Sequence, residues 1–392
     1  MPCMWFSRSK RIYLDYASAT PVLPGALTAM RTAEALVGNP GAIHSEGVAA
    51  KKALEKARER VALTLGCKAR EVIFTSGLTE SNNLGILGVA RRLHMAEMIE
   101  GSHWVVSAIE HDAVLQSFAE IERMGGKVSH IEPDSRGIIS ADAILRAVRP
   151  NTMLVSVGWA NNEIGVVQPL REISRALREK NPSTLLHSDA GQAPLHFSPQ
   201  VHTLGLDVLA LGSNKLYGPH GIGALYLSNR AALAAIVLGG KQERGLRAGT
   251  ENVALAAGFA EALAAVVAES AREAPRLRAL RDTLVAGISE RIPGAVINGD
   301  LKHTLPHMLN VSIPGVSSEY VTLALDHAGI AISTKSACRE GEDSRSHVVE
   351  ALGGPSWRSE NTFRFSLGRE TSEAHIIRAL SVLVHTVAQT RS

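Results

Sequence analysis

Asp189 and Lys215 are the two residues of this chain whose types and spacing point most directly to chemistry. Lys215 follows an apolar run at 206–212 and precedes a glycine-rich segment at 218–223. A lysine at the end of a buried strand, partly withdrawn from water, is suited to form a Schiff base with a bound aldehyde. A solvated loop lysine is the alternative, so the neighbouring elements decide between the two.

Asp189 ends a second strand-like stretch, 183–189, and the interval to Lys215 leaves room for one crossover and the next strand. A carboxylate and a lysine at neighbouring strand ends fit pyridoxal phosphate (PLP). The pyridinium nitrogen of PLP needs an acidic partner, and its aldehyde needs an amine. The pair therefore predicts a PLP site.

A third element, 74–83, has the pattern of a strand, a small-residue turn and the start of a helix, where Leu78 and Thr79 stand. The free N–H groups and the positive dipole end of a helix N-terminus bind phosphate. A capping threonine would explain Thr79 without any ligand. The order of phosphate turn, carboxylate and lysine nevertheless favours PLP.

Further motifs extend from one end of the chain to the other: Ile12-Tyr-Leu-Asp-Tyr16, Gly38-Asn-Pro40, Glu110-His111, Asn161-Asn-Glu-Ile-Gly165, Arg247-Ala-Gly-Thr250-Glu-Asn252, Ser336-Ala-Cys338 and Arg364-Phe-Ser-Leu-Gly-Arg369. With these motifs the chain resembles the cysteine desulfurases, PLP enzymes of the class V aminotransferase family within fold type I. The resemblance covers nearly the whole chain.

The resemblance implies a role for each cofactor residue. Lys215 would hold PLP, His111 would stack on its ring and help move protons, and Asp189 would keep the ring nitrogen protonated. The remaining cofactor contacts would come from Leu78, Thr79, Asn162, Gln192, Ser213 and Asn214, and from Thr250 across a homodimer interface. By themselves, His111, Asn162 and Gln192 are ordinary polar residues.

On the substrate side, the resemblance implies that Arg364 holds the α-carboxylate of L-cysteine, with Asn162 beside it. A guanidinium fork suits a carboxylate because it donates two parallel hydrogen bonds. A surface ion pair is the alternative for Arg364.

Cys338 lies in a polar stretch, about 333–346, that lacks an apolar period and is predicted to be an exposed, mobile loop. We interpret its thiol as a nucleophile that takes sulfur from cysteine as a persulfide, with alanine as the other product. The resemblance implies delivery to an iron–sulfur scaffold or a tRNA-thiolation relay.

Two positions depart from the family pattern. The residues before Lys215 are Gly212-Ser213-Asn214, where Ser-x-His is usual, and Lys335 replaces the usual glycine before Ser-Ala-Cys. Asparagine donates a hydrogen bond but carries no charge, so we expect a weaker or rearranged phosphate grip. Selenocysteine lysis, another class V PLP reaction and a degenerate, non-enzymatic partner subunit stay open as alternatives.

Composition agrees with a soluble cytoplasmic enzyme. The chain has 392 residues, 45% of them hydrophobic, and a formal charge of +3, too slight to indicate nucleic acid binding. Three separated cysteines predict neither a disulfide framework nor a zinc site. The N-terminus does not fit a signal peptide, and the apolar segment 253–268 is predicted to be a core helix rather than a membrane span.

Short apolar strands alternate with helical patterns and predict an α/β fold with a mostly parallel central sheet sandwiched by helices. The predicted strands are 72–75, 104–108, 153–157, 184–188, 208–212 and 224–227, with 307–313 and 330–333 in a smaller α+β domain. With the resemblance, the expected division is a PLP-binding domain at 19–262 and a small domain formed by 1–18 and 263–392.

Overall fold

A computed structural model describes residues 11–334 and 345–391. Its strands are β1 (Ile12–Tyr13), β2 (Val72–Thr75), β3 (His103–Ser107), β4 (Lys127–Ile131), β5 (Thr152–Ser156), β6 (Leu185–Asp189), β7 (Val208–Gly212), β8 (Gly223–Leu227), β9 (Val296–Ile297), β10 (Met308–Ser312), β11 (Ile330–Ala331) and β12 (Thr362–Ser366). Its α-helices are α1 (Pro24–Glu34), α2 (Ser45–Leu65), α3 (Leu78–Met95), α4 (Asp112–Arg123), α5 (Ala141–Ala147), α6 (Leu170–Lys180), α7 (Val201–Leu204), α8 (Val253–Arg291), α9 (Ser318–His327), α10 (His347–Ala351), α11 (Trp357–Glu360) and α12 (Glu373–Arg391).

The chain divides into two compact units. The larger comprises 19–162 and 166–271, and the smaller comprises 11–18, 163–165 and the described residues from 272 onward. The division therefore falls inside α8 rather than at 262, and the short segment 163–165 belongs with the smaller unit.

A seven-stranded sheet forms the centre of the larger unit, with the order β2-β8-β7-β6-β5-β3-β4. Strands β4, β3, β5, β6 and β7 pair in parallel, and β8 is antiparallel to both of its neighbours. The prediction of an α/β fold with a mostly parallel sheet is confirmed. The sequence patterns missed β4, whose residues are mostly exposed or half-buried at the sheet edge.

Helix α3 packs on this sheet through small residues. A Cβ on Gly85 would stand 2.8 Å from a methyl group of Val208 and 3.4 Å from the ring of His187, so glycine lets the helix approach the strands closely. The buried core includes Trp104 and Phe118, whose rings meet edge to face at 6.4 Å. Close packing of α3 sets the height of its N-terminus relative to the ends of β6 and β7.

Strand β2 forms the edge of the sheet opposite to β4. Its residues are buried, and an ion pair lies along its outer side. Arg58 donates to the Val72 carbonyl at 3.0 Å, and the Phe74 N–H donates to Glu243 at 3.1 Å. Arg58 and Glu243 also bond to each other twice, at 2.6 and 2.8 Å.

The segment that supplies Glu243 has an unusual backbone. Glu243 and Arg244 have φ of 45° and 60°, in the left-handed region that costs a non-glycine residue about 1–2 kcal/mol. Bonds from the Glu243 carboxylate to Arg58 and to β2 hold this turn in place. The turn leads directly to Arg247, whose guanidinium pairs with Glu80 at 2.9 Å.

Helix α8 is long and apolar enough to cross a membrane by length and composition alone. Over 253–266, however, Ala256, Phe259 and Leu263 are fully buried, in agreement with the expected core helix. Pro275 lies inside the helix without ending it.

The smaller unit has a three-stranded antiparallel sheet, β12-β10-β9, and a parallel pair, β1-β11. Its core gathers Ile12 and Leu14 from the start of the chain with Leu309 of β10 and Phe363 and Phe365 of β12. The N-terminal strand therefore packs with the C-terminal elements, and this arrangement fixes the surroundings of β12.

Candidate active site

Asp189 and Lys215 lie at the carboxyl ends of neighbouring parallel strands. Asp189 is the last residue of β6 and is in register with Ala210 of β7. Strand β7 ends at Gly212 and runs into a short 3₁₀ turn, Ser213–Lys215. Ligands of open α/β sheets bind at the carboxyl ends of the strands. After Lys215, Tyr217 and Gly221 adopt the left-handed backbone conformation, with φ of 58° and 84°.

Gly191 shows how closely the predicted residues converge. A Cβ at Gly191 would stand 2.5 Å from Leu78, 3.1 Å from the Asp189 carboxylate and 3.4 Å from Cδ of Lys215. Only a residue without a side chain leaves this space open. Gly191 thus marks the point where the helix start, the carboxylate and the lysine meet.

Two neutral donors hold the Asp189 carboxylate. The Asn82 side-chain amide donates to Oδ2 at 2.5 Å, and the Gly191 N–H donates to Oδ1 at 2.8 Å. These bonds orient the carboxylate without neutralising it. An oriented, partly buried anion suits a cationic partner such as a pyridinium N–H.

The N-terminus of α3 is open to an anion. The helix begins at Leu78 after Gly77, and no side chain caps it. Gly77 has φ of 156°, a conformation available to glycine. Thr79 is exposed within the first turn and is not the cap, so capping does not explain it.

His111 is the N-cap of α4. Its Nδ1 accepts a hydrogen bond from the Ala113 N–H at 3.0 Å, so the exchangeable proton of the neutral ring is on Nε2. The ring is half-buried and lines the same cavity as Asp189 and Lys215. The backbone of α4 therefore fixes both the orientation and the tautomer of His111.

These side chains surround one cleft of about 460 Å³, a volume that includes space open to solvent. The lining residues are Leu78, Ile109, Glu110, His111, Gly158, Ala160, Asn161, Asn162, Gln168, Asp189, Gly191, Gln192 and Lys215. Six of the predicted cofactor and substrate residues belong to this lining: Leu78, His111, Asn162, Asp189, Gln192 and Lys215.

Other predicted residues of the larger unit lie outside the lining. Ser213 is fully buried with its hydroxyl against Gly218, and the Asn214 carbonyl accepts from the N–H and the hydroxyl of Thr20, each at 2.9 Å. Thr250 is exposed. The Ser213 hydroxyl thus has no hydrogen-bond partner among the described residues, the Asn214 contacts are made by its backbone, and Thr250 lies on the surface.

Sequence reasoning gave no role to Glu110 or Asn82, although both stand in quoted segments. Burial raises the pKa of Glu110 to about 8, and the negative charge of Asp189 contributes to the rise. The hydrogen bond from Gly158 acts in the other direction and lowers it. The Glu110-His111 motif was the available signal for the first. The contact of Asn82 with Asp189 joins distant segments, and no local pattern indicates it.

His187, two residues before Asp189 in β6, is fully buried. Burial lowers its pKa to about 3, and its Nδ1 lies 2.8 Å from the Ser156 hydroxyl. The ring is therefore neutral, and it supports β5 and β6 under the pocket residues as a packing group.

Arg364 belongs to the smaller unit and lies in the middle of β12, opposite Asn310 of β10. Its side chain is 2% exposed and donates to Asp15 at 2.9 Å and to Ser18 at 2.6 Å. The guanidinium is therefore held by a carboxylate and a hydroxyl from the start of the chain, which excludes a solvated surface ion pair.

Cys338 and Lys335 lie outside the described residues, but the residues on either side are anchored. Ser333 pairs with Arg364 through two backbone bonds, at 2.7 and 3.2 Å. At the other end, Ser346 caps α10 and donates to Glu163 at 2.5 Å. The segment that contains Cys338 thus begins beside Arg364.

The residues of the cleft fit PLP. The uncapped helix start suits its phosphate, Asp189 suits its ring nitrogen, and Lys215 suits its aldehyde. Gly191 keeps open the space between these three groups. Over residues 11–334 and 345–391, no cluster of His, Cys, Asp or Glu could hold a metal ion.

Known proteins resemble this chain over nearly its whole length. The family described as Aminotransferase class-V matches residues 12–378. Cysteine desulfurase IscS of Dictyoglomus turgidum is 36% identical over 384 residues, 98% of this chain and 96% of that protein. Cysteine desulfurase IscS of Haemophilus influenzae is 38% identical over 387 residues, 97% and 94% of the two chains.

Solved structures agree. A structure titled NifS-like protein superposes with a TM-score of 0.90 at 32% identity, covering 97% of this chain and all of that one. A structure titled SspA in complex with cysteine has a TM-score of 0.77 at 31% identity, covering 91% and 98%. The chain therefore belongs to the class V aminotransferase family, among its cysteine desulfurases.

Proposed function

We propose that this protein is a PLP-dependent cysteine desulfurase that converts L-cysteine to L-alanine and receives the sulfur on Cys338 as a persulfide. The observation that carries the proposal is the convergence of Leu78, Asp189 and Lys215 around Gly191, at the ends of β6 and β7. Relatives named cysteine desulfurase over the full chain support the choice of substrate.

The cofactor residues divide the work. The N–H groups at the start of α3 bind the phosphate, Asp189 holds a proton on the ring nitrogen, and Lys215 anchors the aldehyde carbon. When bound, PLP supplies an electron sink that makes the bonds around the substrate α-carbon labile. Asn162 and Gln192 lie in the cleft where they can orient the ring hydroxyl.

Proton transfer falls to Lys215 and His111. Both line the cleft, and the amine of Lys215 and the imidazole of His111 would be the groups there that move a proton at the substrate α-carbon. Because the Ala113 N–H occupies Nδ1 of His111, Nε2 is the atom of that ring that can exchange a proton. His111 therefore acts from one fixed nitrogen.

Sulfur transfer needs Arg364 and Cys338. Arg364 holds the substrate α-carboxylate, and the Cys338 thiolate attacks the substrate sulfur. A sulfur–sulfur bond forms and the carbon–sulfur bond breaks. The electron pair of the broken bond stays with the carbon fragment, which takes up a proton and leaves as alanine. No outside oxidant or reductant is required.

Three finer assignments belong to this proposal. The enzyme works in the cytoplasm as a homodimer in which Thr250 reaches the cofactor phosphate of the partner subunit. The persulfide passes to an acceptor protein, either an iron–sulfur scaffold or a tRNA-thiolation relay. The exposure of Thr250 is compatible with contact to a second copy.

The decisive experiment compares Cys338→Ala with Cys67→Ala. Burial, with the charge of Glu71, raises the pKa of the half-buried Cys67 thiol to about 12, so this second cysteine is a poor nucleophile and a matched control. With L-cysteine and a thiol reductant, we expect Cys338→Ala to bind PLP and substrate but to release almost no sulfide. Cys67→Ala should match the wild type.

Other outcomes identify the alternatives. Sulfide and alanine formed at the wild-type rate by Cys338→Ala would favour a lyase that eliminates sulfur directly. A strong preference for L-selenocysteine, assayed in parallel, would indicate a selenocysteine lyase. A protein with no visible cofactor absorbance after incubation with PLP would be a degenerate partner subunit.

A further inference from the structure

Glu110 is a buried carboxyl group in the cleft to which the proposed chemistry gives no task. The residue is 5% exposed and lines the same space as Asp189, His111 and Lys215. These three are the charged or titratable lining residues that face it in the part of the chain described. A second carboxyl group so close to Asp189 needs an explanation, because two neighbouring carboxylates repel each other.

The contacts of Glu110 join two segments that line the cleft. Its Oε1 accepts a hydrogen bond from the Gly158 N–H at 2.8 Å. A Cβ on Gly158 would stand 2.9 Å from Oε2, so a glycine is needed for this approach. Glu110 directly precedes His111, and Gly158 begins the loop that carries Asn162. The carboxyl group thus ties the turn of His111 to the loop of Asn162.

The same two segments are tied a second time and are connected to β6. The Asn161 amide donates to the Ile109 carbonyl at 2.8 Å. The Trp159 N–H, next to Gly158, donates to the Asp189 carbonyl at 2.9 Å. The loop therefore brings the carboxyl group of Glu110 to the end of the strand that carries Asp189.

The two carboxyl groups differ in how each is supported. Asp189 is only partly buried and accepts N–H bonds on both oxygens. Glu110 is almost fully buried, and that burial raises its pKa to about 8. The bonds from Gly158 and Ser107 oppose this rise, and the charge of Asp189 adds to it. The hydroxyl of Ser107 can accept from a neutral acid as readily as it donates to a carboxylate.

We propose that Glu110 is a positioning residue held as a neutral carboxylic acid, which fixes the turn of His111 against the loop of Asn162 and leaves the negative charge of the cleft on Asp189. The inference rests on the proposed function only for the identity of the cofactor. The protonation of Glu110 is a property of the chain itself and is measurable without PLP.

The first test uses the apoenzyme. Because the folded state keeps the Glu110 proton up to about pH 8 and the unfolded state loses it near the ordinary value of 4.5, the wild-type unfolding constant rises about tenfold per pH unit within that window. Glu110→Gln has no such proton. The ratio of the wild-type unfolding constant to that of Glu110→Gln should therefore rise between pH 5.5 and 8 and level off above.

Glu71→Gln is the matched control, since Glu71 is also 5% exposed and lies outside the cleft lining. Its stability relative to the wild type should show no break near pH 8. Identical pH profiles of the wild type and Glu110→Gln would contradict the proposal that Glu110 is protonated in the folded state.

The second test measures PLP retention on dilution at pH 7. Glutamine keeps an acceptor for the Gly158 N–H without a charge, so Glu110→Gln should retain PLP within about twofold of the wild type. Glu110→Ala leaves that buried N–H unpaired and should retain PLP at least tenfold less well. Equal losses in both variants would show that the charge of Glu110 is required and would contradict the proposal. A wild type that never binds PLP would refute the proposed function and leave the apoenzyme test decisive for Glu110.

Discussion

Asp189 and Arg364, the two charged groups assigned to the cofactor and to the substrate, are held in opposite ways. Asp189 accepts from the Asn82 amide and the Gly191 N–H, both neutral donors. Arg364 donates to the Asp15 carboxylate and to the Ser18 hydroxyl. Neutral donors orient the first charge, whereas a carboxylate of its own unit pairs with the second.

The difference teaches how each charge is used. A carboxylate that neutral donors orient suits a cation that stays bound through every turnover. A guanidinium that already has an anionic partner binds a second carboxylate less tightly, because the two anions repel each other. We therefore expect Asp189 to act on the rate of reaction and Arg364 on a weaker, exchangeable binding of substrate.

The largest effect is expected for Asp189→Asn. The amide cannot hold the ring nitrogen in its protonated form, so the lost charge-assisted bond, about 3 kcal/mol, should lower kcat roughly 100-fold with little change in KM. Steady-state kinetics with L-cysteine give this ratio. Lys215→Ala is the reference variant for complete loss of activity. It should also lack the covalent adduct between lysine and PLP that borohydride reduction traps. A wild-type kcat in Asp189→Asn would contradict the expectation that Asp189 acts on the rate of reaction and Arg364 on substrate binding.

Arg364→Lys should have a smaller effect, mainly on KM. Lysine keeps the charge but lacks the planar fork, and the lost bond, about 1.5–2 kcal/mol, should raise KM for L-cysteine roughly 10- to 30-fold. Asp15→Asn sharpens the comparison: it removes the competing anion and should lower KM a few-fold. A rise of KM in Asp15→Asn equal to that in Arg364→Lys would mean that Asp15 only orients the guanidinium.

The smallest effects are expected at the phosphate end. Thr250→Ala should weaken PLP retention about tenfold, since one hydrogen bond to a charged phosphate is worth roughly 1.5–3 kcal/mol and partly exposed bonds fall at the low end. Asn214→His, which restores a donor that can be charged, should strengthen retention. Dilution followed by absorbance measures both, and light scattering measures the dimer. A monomeric holoenzyme would contradict the assignment of Thr250.

The strands that hold the site were predictable because they are short, mostly buried and contain apolar runs. Strands β5, β6 and β7 lie inside the sheet, where helices and neighbouring strands leave them little exposure to water. Strand β4 escaped prediction because it forms one edge, where Lys127 and His130 are exposed. Hydrophobic patterns in the sequence identify buried strands and miss strands whose side chains are exposed to solvent.

The side-chain contacts around the site were not predictable in the same way. Asn82 and Asp189 meet because α3 packs on β6, and Glu110 meets Gly158 because β3 and β5 are neighbours. Such pairs depend on strand order, which no local pattern encodes. Ser213 stays a prediction: its place before Lys215 indicates a phosphate contact, and its buried hydroxyl has no hydrogen-bond partner in the part of the chain described.

The ion pair of Arg58 and Glu243 along β2 has a consequence for the protein in a crowded solution. An apolar end strand with free backbone groups is a template on which another chain can add a strand and begin to aggregate. The bonds from Arg58 to the Val72 carbonyl and from the Phe74 N–H to Glu243 occupy that template with side chains. Strand β4, at the other edge, relies on exposed Lys127 and His130 instead. Loss of the Glu243 carboxylate would thus leave backbone groups of β2 free to pair with another chain and would lower the solubility of the folded protein.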